Sequence, residues 1–246
     1  MSWLRNLFGV SSSEVDLGLL KTDVHSHLIP GIDDGSTSIE DSINLIRGLY
    51  DLGYTKFITT PHIMSDFYRN TPEIILSGLD AVREAVAKEG IPVHIEAAAE
   101  YYCDHEFEKS IKAKELLTFG DNYVLFELSY LNPSVNFETV TFNLQMEGYK
   151  PVLAHPERYS YWYQSFDKYE EMKAKGILLQ LNLASITGHY GSVPKRIGER
   201  LIENNMIDFL GTDTHKMSHI DVFKKATKEP ILRKLFESGM LRNETL

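Results

Sequence analysis

Two hydrophobic regimes alternate along this chain. Short apolar runs bounded by turn formers give way to stretches whose apolar residues recur every third or fourth position, the spacing of one helix face. The first apolar run covers 19–25. Thr37, with Glu40 three residues on, predicts a capping box that opens a helix with Ile39, Ile43, Ile46 and Leu49 inward, ended by Gly53. A second strand over 56–60 stops at Pro61-His62, and Thr71-Pro72-Glu73 starts a helix with Ile75, Leu79, Val82 and Val86 inward, closed by Gly90. Further strands are predicted over 92–99, 123–126, 151–154, 178–181 and 208–210. Helices at about 104–117, 137–147, 166–175 and 194–205 separate them, and a helical tail over 221–236 breaks before Pro230. Strand alternating with helix argues for an α/β fold with a parallel sheet or closed barrel. The chain has 246 residues, enough to bury one sizeable core, so a single domain is expected.

The strand ends carry the chemistry. His25 and His27 stand two apart at the end of the first strand, so both side chains leave on one face, spaced for a single metal ion. The later strands deliver His62, Glu100, Glu127, His155, Asn182, and then Asp213 with His215. In α/β barrels the loops at that rim build the active site, which brings side chains distant in sequence to one place. Taken singly each has an ordinary alternative: Glu127 a surface acid, His155 a core histidine, Asp213 a helix cap, Asn182 a turn residue. Imidazole and carboxylate without thiolate suit Mn²⁺, Zn²⁺ or Fe²⁺. Asp33 and Asp34 offer one more acid, and the residues alone do not choose between them. So many donors exceed what one ion takes, and two ions about 3.5–4 Å apart can hold the attacking hydroxide and leaving oxygen of an in-line displacement. That is phosphoester hydrolysis, with a third ion adding charge for the phosphate.

Composition narrows the partners. A formal net charge of -10 leaves no surplus of Lys and Arg to displace counterions, which disfavours nucleic acid. No apolar run approaches the roughly 20 residues that span a bilayer, so no membrane span is expected. The single cysteine, Cys103, excludes an internal disulfide and a Cys-rich zinc site, and fits a reducing, cytoplasmic compartment. Residues 1–18 read as an N-terminal arm, with Trp3, Leu4, Leu7 and Phe8 able to dock on the domain and Ser11-Ser12-Ser13 as a flexible joint; 19–246 form the barrel domain.

His25-Ser26-His27, Asp34, Thr60-Pro61-His62, Glu100, Glu127, His155-Pro156-Glu157-Arg158 and Asp213-Thr214-His215 resemble the motifs of the PHP (polymerase and histidinol phosphatase) superfamily. The stretches DVHSHLIPGIDDGS, TTPH and LAHPERY look like the bacterial PHP-type protein-tyrosine phosphatases of capsular and exopolysaccharide synthesis. The resemblance runs in order from Asp23 to Lys216 and implies a distorted seven-stranded (β/α) barrel with three divalent metal ions, manganese above iron or zinc. Carried over by position, His25, His27, Glu100 and Asp213 hold one ion, Glu100, Glu127 and His155 a second, and Asp34, His62 and His215 the third. Glu100 then bridges two ions. The pattern selects Asp34 over Asp33, and makes Arg158 the phosphate contact, for which a planar fork is suited; a salt bridge to Glu157 or a neighbour is its structural alternative.

The activity implied is hydrolysis of phosphotyrosine by a metal-bound hydroxide, on a protein substrate such as the bacterial tyrosine kinase of polysaccharide export. The competing readings are a small-molecule phosphomonoesterase such as a histidinol-phosphate phosphatase, a phosphodiesterase or exonuclease, disfavoured by the acidic charge, and a non-catalytic partner-binding barrel. Cys103 has no arginine at the sixth position after it, so the cysteine-arginine phosphate loop of thiol-dependent phosphatases is absent. His94, His105, His189 and His219 match no motif and read as packing or surface groups. The cluster Tyr159, Tyr161, Trp162 and Tyr163 reads equally as a wall for a phosphotyrosine ring or as core packing.

Overall fold

In the computed structural model, which describes residues 14–246, every paired strand runs parallel to its neighbour. Three strands, β1 (Thr22–Asp23), β2 (Lys56–Thr59) and β4 (His94–Ala97), form one sheet in the order β1-β2-β4. The second sheet has the order β3-β5-β6-β7-β8-β9, from His62–Ile63, Glu100–Tyr102, Tyr123–Glu127, Lys150–Ala154, Leu178–Asn182 and Phe209–Gly211. Among the described residues the helices are α1 (Ile39–Asp51), α2 (Pro72–Lys88), α3 (His105–Ala113), α4 (Phe137–Met146), α5 (Asp167–Ala174), α6 (Ser192–Glu203), α7 (Ser218–Ala226) and α8 (Pro230–Glu237). The apolar residues Trp3, Leu4, Leu7 and Phe8 and the serine joint lie outside the described residues.

The two sheets share their chain. Thr60 donates to the Ser26 carbonyl at 2.7 Å, but Pro61 has no N–H, so β2 is interrupted before the chain resumes as β3. β4 and β5 follow the same course: Ala98 donates to Thr59 O and Glu100 to Pro61 O. At the far edge Asp213 N bonds His25 O at 2.7 Å and His27 N bonds Thr214 O at 3.0 Å, so the first and last strand ends meet.

The period of two sorts each strand's side chains. Phe57, Val124, Phe126, Leu153, Leu179 and Leu210 pack with helix residues such as Leu45, Leu79, Leu144 and Ile197 in the main core. Val24, Ile58, Ala98, Leu125, Val152 and Phe209, nearly one per strand, form a second cluster on the opposite face with Phe119 and Tyr123. That face, followed toward the carboxyl ends, turns from apolar to ionisable.

Local expectations shift in places. The run over 19–25 is a 3₁₀ turn at Leu17–Leu20 followed by a two-residue strand, with Leu17 and Leu20 buried. The capping box sits one residue later: Ser38 accepts from Asp41 N, and the Asp41 carboxylate accepts from Thr37 N. Thr71 caps α2 as expected, with Pro72 in its first turn. The strand expected over 92–99 starts at His94 and is broken after Ala97, because the chain there passes from one sheet to the other.

Candidate metal centre

The expected strand-end residues converge. Ligand atoms within 4.8 Å of one another form four overlapping groups: His27, Asp34, His62 and His215; His25, Glu100 and His155; His25, His27 and Asp213; and His62, Glu100 and Glu127. All nine predicted donors are in them. Glu100 stands between the histidines, with Oε2 3.1 Å from His25 Nε2 and Oε1 3.0 Å from His155 Nε2. His62 joins two groups: its Nε2 is 3.5 Å from Asp34 Oδ1, while its Nδ1 is 3.2 Å from Glu100 and 3.1 Å from Glu127. The sequence grouping had given His62 to Asp34 and His215 alone.

Buried acceptors set how the imidazoles present themselves. Gln180 spends its amide N–H groups on Leu181 O and Asn182 Oδ1, so its Oε1 accepts from His25 Nδ1 at 2.8 Å. His27 Nδ1 donates to Asp33 Oδ2 at 2.8 Å, and His215 Nδ1 to the Asp213 carbonyl at 2.9 Å. In each ring the proton is held on Nδ1 and the Nε2 lone pair faces the cluster, the arrangement that metal-ligating histidines adopt. Asp33 is thereby occupied, since it also accepts from Gly35 N and His62 N. Asp34 is left as the carboxylate facing the site, 3.3 Å from His215 Nε2. Asn182 is at the strand end where the sequence places it, whereas Gln180 is a support that the sequence reading does not single out. The signal was there: they stand two apart on β8, as His25 and His27 do on the first strand, so they share a face.

Close approach is built into the backbone. A Cβ on Gly211 would lie 2.6 Å from Gln180 Nε2 and 2.7 Å from His25 Cβ, and one on Gly35 would lie 2.3 Å from His27 Cβ. His155 and Asp213 adopt left-handed φ values of 34° and 53°, a strain of about 1–3 kcal/mol each by general experience, which the surrounding contacts hold in place.

The donor set fits divalent cations. Burial works against charge on both sides, yet carboxylates and imidazoles overcome it for one another. Burial opposes protonation of His25, but Glu100 and Asp213 raise its pKa to about 9; His27, also buried, is raised well above its ordinary value by Asp33. Burial would raise Glu100 and Asp213, but His25 and their other histidine neighbours hold both well below the carboxylate range. Protons and divalent cations compete for these same lone pairs. His62 Nδ1 is buried without a hydrogen bond despite two carboxylate oxygens in range, since none is aligned with it. A cation needs no such alignment with one partner.

Arg158 lies beside the cluster. Its Nη1 donates to Asp213 Oδ2 at 3.1 Å, and its guanidinium lies over the rings of Tyr130 at 4.6 Å and Tyr190 at 4.2 Å. Glu157 is turned away, accepting from Ser185 Oγ and Asn182 N; burial raises its pKa to about 7. Asn182 Nδ2 also holds Asp213 Oδ2, at 2.7 Å. The cleft above the cluster, about 670 Å³, is lined by Tyr68, Tyr102, Tyr130 and Tyr190. Of the expected aromatic wall, Tyr159 and Trp162 are core residues instead, Tyr159 donating to Ala154 O. His219, set aside in the sequence, lines this cleft, and its Nδ1 accepts from His215 N; His94 and His105 are exposed.

A sequence profile of the family described as capsular polysaccharide synthesis, CpsB/CapC, matches residues 21–238. Tyrosine-protein phosphatase YwqE of Bacillus subtilis (strain 168) is 31% identical over 196 residues, 79% of this chain and 77% of that protein. Tyrosine-protein phosphatase CpsB of Streptococcus agalactiae serotype V is 26% identical over 201 residues, 79% of this chain and 83% of that protein. A solved structure from work on YwqE of B. subtilis and CpsB of Streptococcus pneumoniae, described there as unique metal-dependent tyrosine phosphatases, matches with a TM-score of 0.78 at 29% identity, covering 92% of this chain and 96% of that one.

Proposed function

The chain belongs to the CpsB/CapC family of capsular polysaccharide synthesis, and from that premise we propose that it is a metal-dependent phosphatase of phosphotyrosine in proteins. The observation that carries this reading is the overlap of four donor groups around Glu100, beside an arginine held at the edge of the same cleft. His25, His27, Glu100 and Asp213 would hold one ion, Glu100, Glu127 and His155 a second, and Asp34, His62 and His215 a third, with manganese the favoured metal. When bound, the ions supply Lewis acidity that polarises the phosphoryl oxygens and activates water for attack at phosphorus.

The chain's own groups do the rest. Gln180, Asp33 and the Asp213 carbonyl keep the Nδ1 protons of His25, His27 and His215 in place, so that each ring turns its Nε2 to the cluster, where a cation would displace any proton held there. Arg158 takes the phosphoryl oxygens and stabilises the charge that builds on them, its plane fixed between Tyr130 and Tyr190. The tyrosine-lined cleft receives the aromatic ring of the substrate.

In this reading the two sheets are one distorted barrel of seven staves, with β2 continuing into β3 and β4 into β5, closed where His25 and His27 meet Asp213 and Thr214. Residues 19–246 are its phosphatase unit and 1–18 its arm, the end of which, Leu17, shares a 3₁₀ turn with Leu20 and packs in the main core. Among the described residues no helix is long and apolar enough to cross a membrane. The substrate would be a cytoplasmic tyrosine kinase of polysaccharide export. Metal analysis of the purified protein, with turnover of a phosphotyrosine peptide set against histidinol phosphate, tests the reading: preference for the peptide supports it, and preference for histidinol phosphate moves the protein to small-molecule metabolism.

A further inference from the structure

A second cleft, of about 870 Å³, opens beside the metal centre. It lies between the segment 63–73 and the first turns of α3, and Met64 lines both clefts, so they adjoin there. Their charges differ once the metal centre holds its cations. Asp66, Glu73, Asp104, Glu106 and Glu115 line the second cleft with Arg69 and His105, Glu106 being paired with Lys109 at 2.7 Å, whereas Arg158 and Lys216 line the first beside the carboxylates Asp34, Glu100, Glu127 and Asp213, whose charge three divalent cations would more than offset. Arg69 is tied to its own loop through Nε to Ser65 O at 2.7 Å. Asp66 and Glu115 are exposed and their side chains have no hydrogen bond or ion pair among the described residues.

A ligand that fills both clefts carries a phosphate dianion at one end and cationic side chains at the other. We propose that the second cleft is a docking groove for the basic flank of a phosphotyrosine-bearing protein segment, reading Lys or Arg close in sequence to the phosphotyrosine. This rests on the phosphatase reading for the end of the segment that is hydrolysed, and on the groove's adjoining position and charge for the rest. An extended segment passing over Met64 presents alternate side chains to the groove, and opposite charges across such a rim set partner choice and encounter rate.

The test uses the full-length, manganese-loaded protein and three substrates: a phosphotyrosine peptide flanked by Lys, the same peptide flanked by Glu, and p-nitrophenyl phosphate, which is too short to enter the groove. At low salt kcat/KM should favour the Lys-flanked peptide by about tenfold, and the preference should shrink as salt rises. The charge reversals Asp66→Lys and Glu115→Lys together should abolish or invert it, with turnover of p-nitrophenyl phosphate as the reference for an intact centre. Equal kcat/KM for the two peptides in the wild type, or an unchanged preference in the double variant, would overturn the groove. Binding of matched Lys- and Glu-flanked peptides carrying a non-hydrolysable phosphonate, followed by calorimetry, reads the groove without turnover. No hydrolysis of any of the three substrates together with tighter binding of the Lys-flanked phosphonate would therefore refute the phosphatase reading and keep the groove. Equal binding would refute the groove whatever the turnover.

Discussion

Replacing Arg158 by alanine separates substrate handling from metal binding. The guanidinium bonds Asp213 Oδ2, yet that oxygen also accepts Asn182 Nδ2 at 2.7 Å, so the carboxylate keeps its orientation when the arginine is removed. Asp213 Oδ1, the oxygen 3.4 Å from His25 and 3.5 Å from His27, is untouched. Metal content should therefore stay at the wild-type value. In the proposed role, what is lost is a charged donor to the phosphoryl oxygens, worth roughly 2–4 kcal/mol when such a group acts in the transition state. That corresponds to a fall in kcat/KM of about 30- to 1,000-fold. Two ring contacts, each worth about 0.5–1 kcal/mol at a partly exposed site, are lost as well, so the melting temperature should drop by a few degrees. Arg158→Lys should recover only part of the rate, because an ammonium can neither fork onto two oxygens nor lie flat between Tyr130 and Tyr190. Steady-state kinetics on a phosphotyrosine peptide, paired with elemental analysis of the same samples, decides the matter. An alanine variant that has lost its metals but turns over normally per metal bound would show that Arg158 supports the cluster through Asp213, and the assignment to the phosphate would fall.

Glu100→Gln should lower metal content and cut turnover by at least a hundredfold, since one carboxylate faces His25 and His155 through different oxygens; full metal occupancy in this variant would rule out the bridge. Tyr190→Phe should keep near wild-type activity, because it keeps the ring face under Arg158, whereas Tyr190→Leu should lose about three- to tenfold in kcat/KM; equal loss in both would point to the hydroxyl instead. Cys103→Ser should hydrolyse phosphotyrosine normally while a chelator stops the wild type. Burial pushes the Cys103 thiol up to about 12, so the thiolate fraction is small at neutral pH; labelling by iodoacetamide should be slow at pH 7 and rise with pH, and rapid labelling at pH 7 would contradict the burial.

The positions of the donor cluster were legible because they obey a simple geometry. Strand ends in a parallel α/β fold face one rim, so His62, Glu100, Glu127 and His155 could be placed there before any contact was known. The breaks that divide the strands into two sheets were harder to read. Pro61 was visible as a stop, but that the chain resumes pairing at His62 depends on which neighbour lies alongside. Asp33 against Asp34 could not be settled from adjacent identical side chains; the contacts of His27 Nδ1 and Gly35 N settle where Asp33 points. Tyr130 and Tyr190 come from irregular segments with no period, so their meeting on either side of Arg158 carried no local signal. For the aromatic run after Arg158 the sequence leaves wall and core packing equal; Tyr159 and Trp162 are core, Tyr159 donating to Ala154 O beneath the site, and Tyr161 and Tyr163 are partly buried beside it.

The seam between the first and last strands has a consequence for synthesis. Asp23 reaches Thr212 across 189 positions of chain, and the same closure brings His25 and His27 to Asp213 and His215. During translation the two histidines leave the ribosome long before Asp213 and His215 exist. A nascent or prematurely stopped chain thus cannot assemble this donor set, however much metal surrounds it. In the proposed reading, metal binding by the complete donor set would mark the moment at which the last strand has been made and has docked.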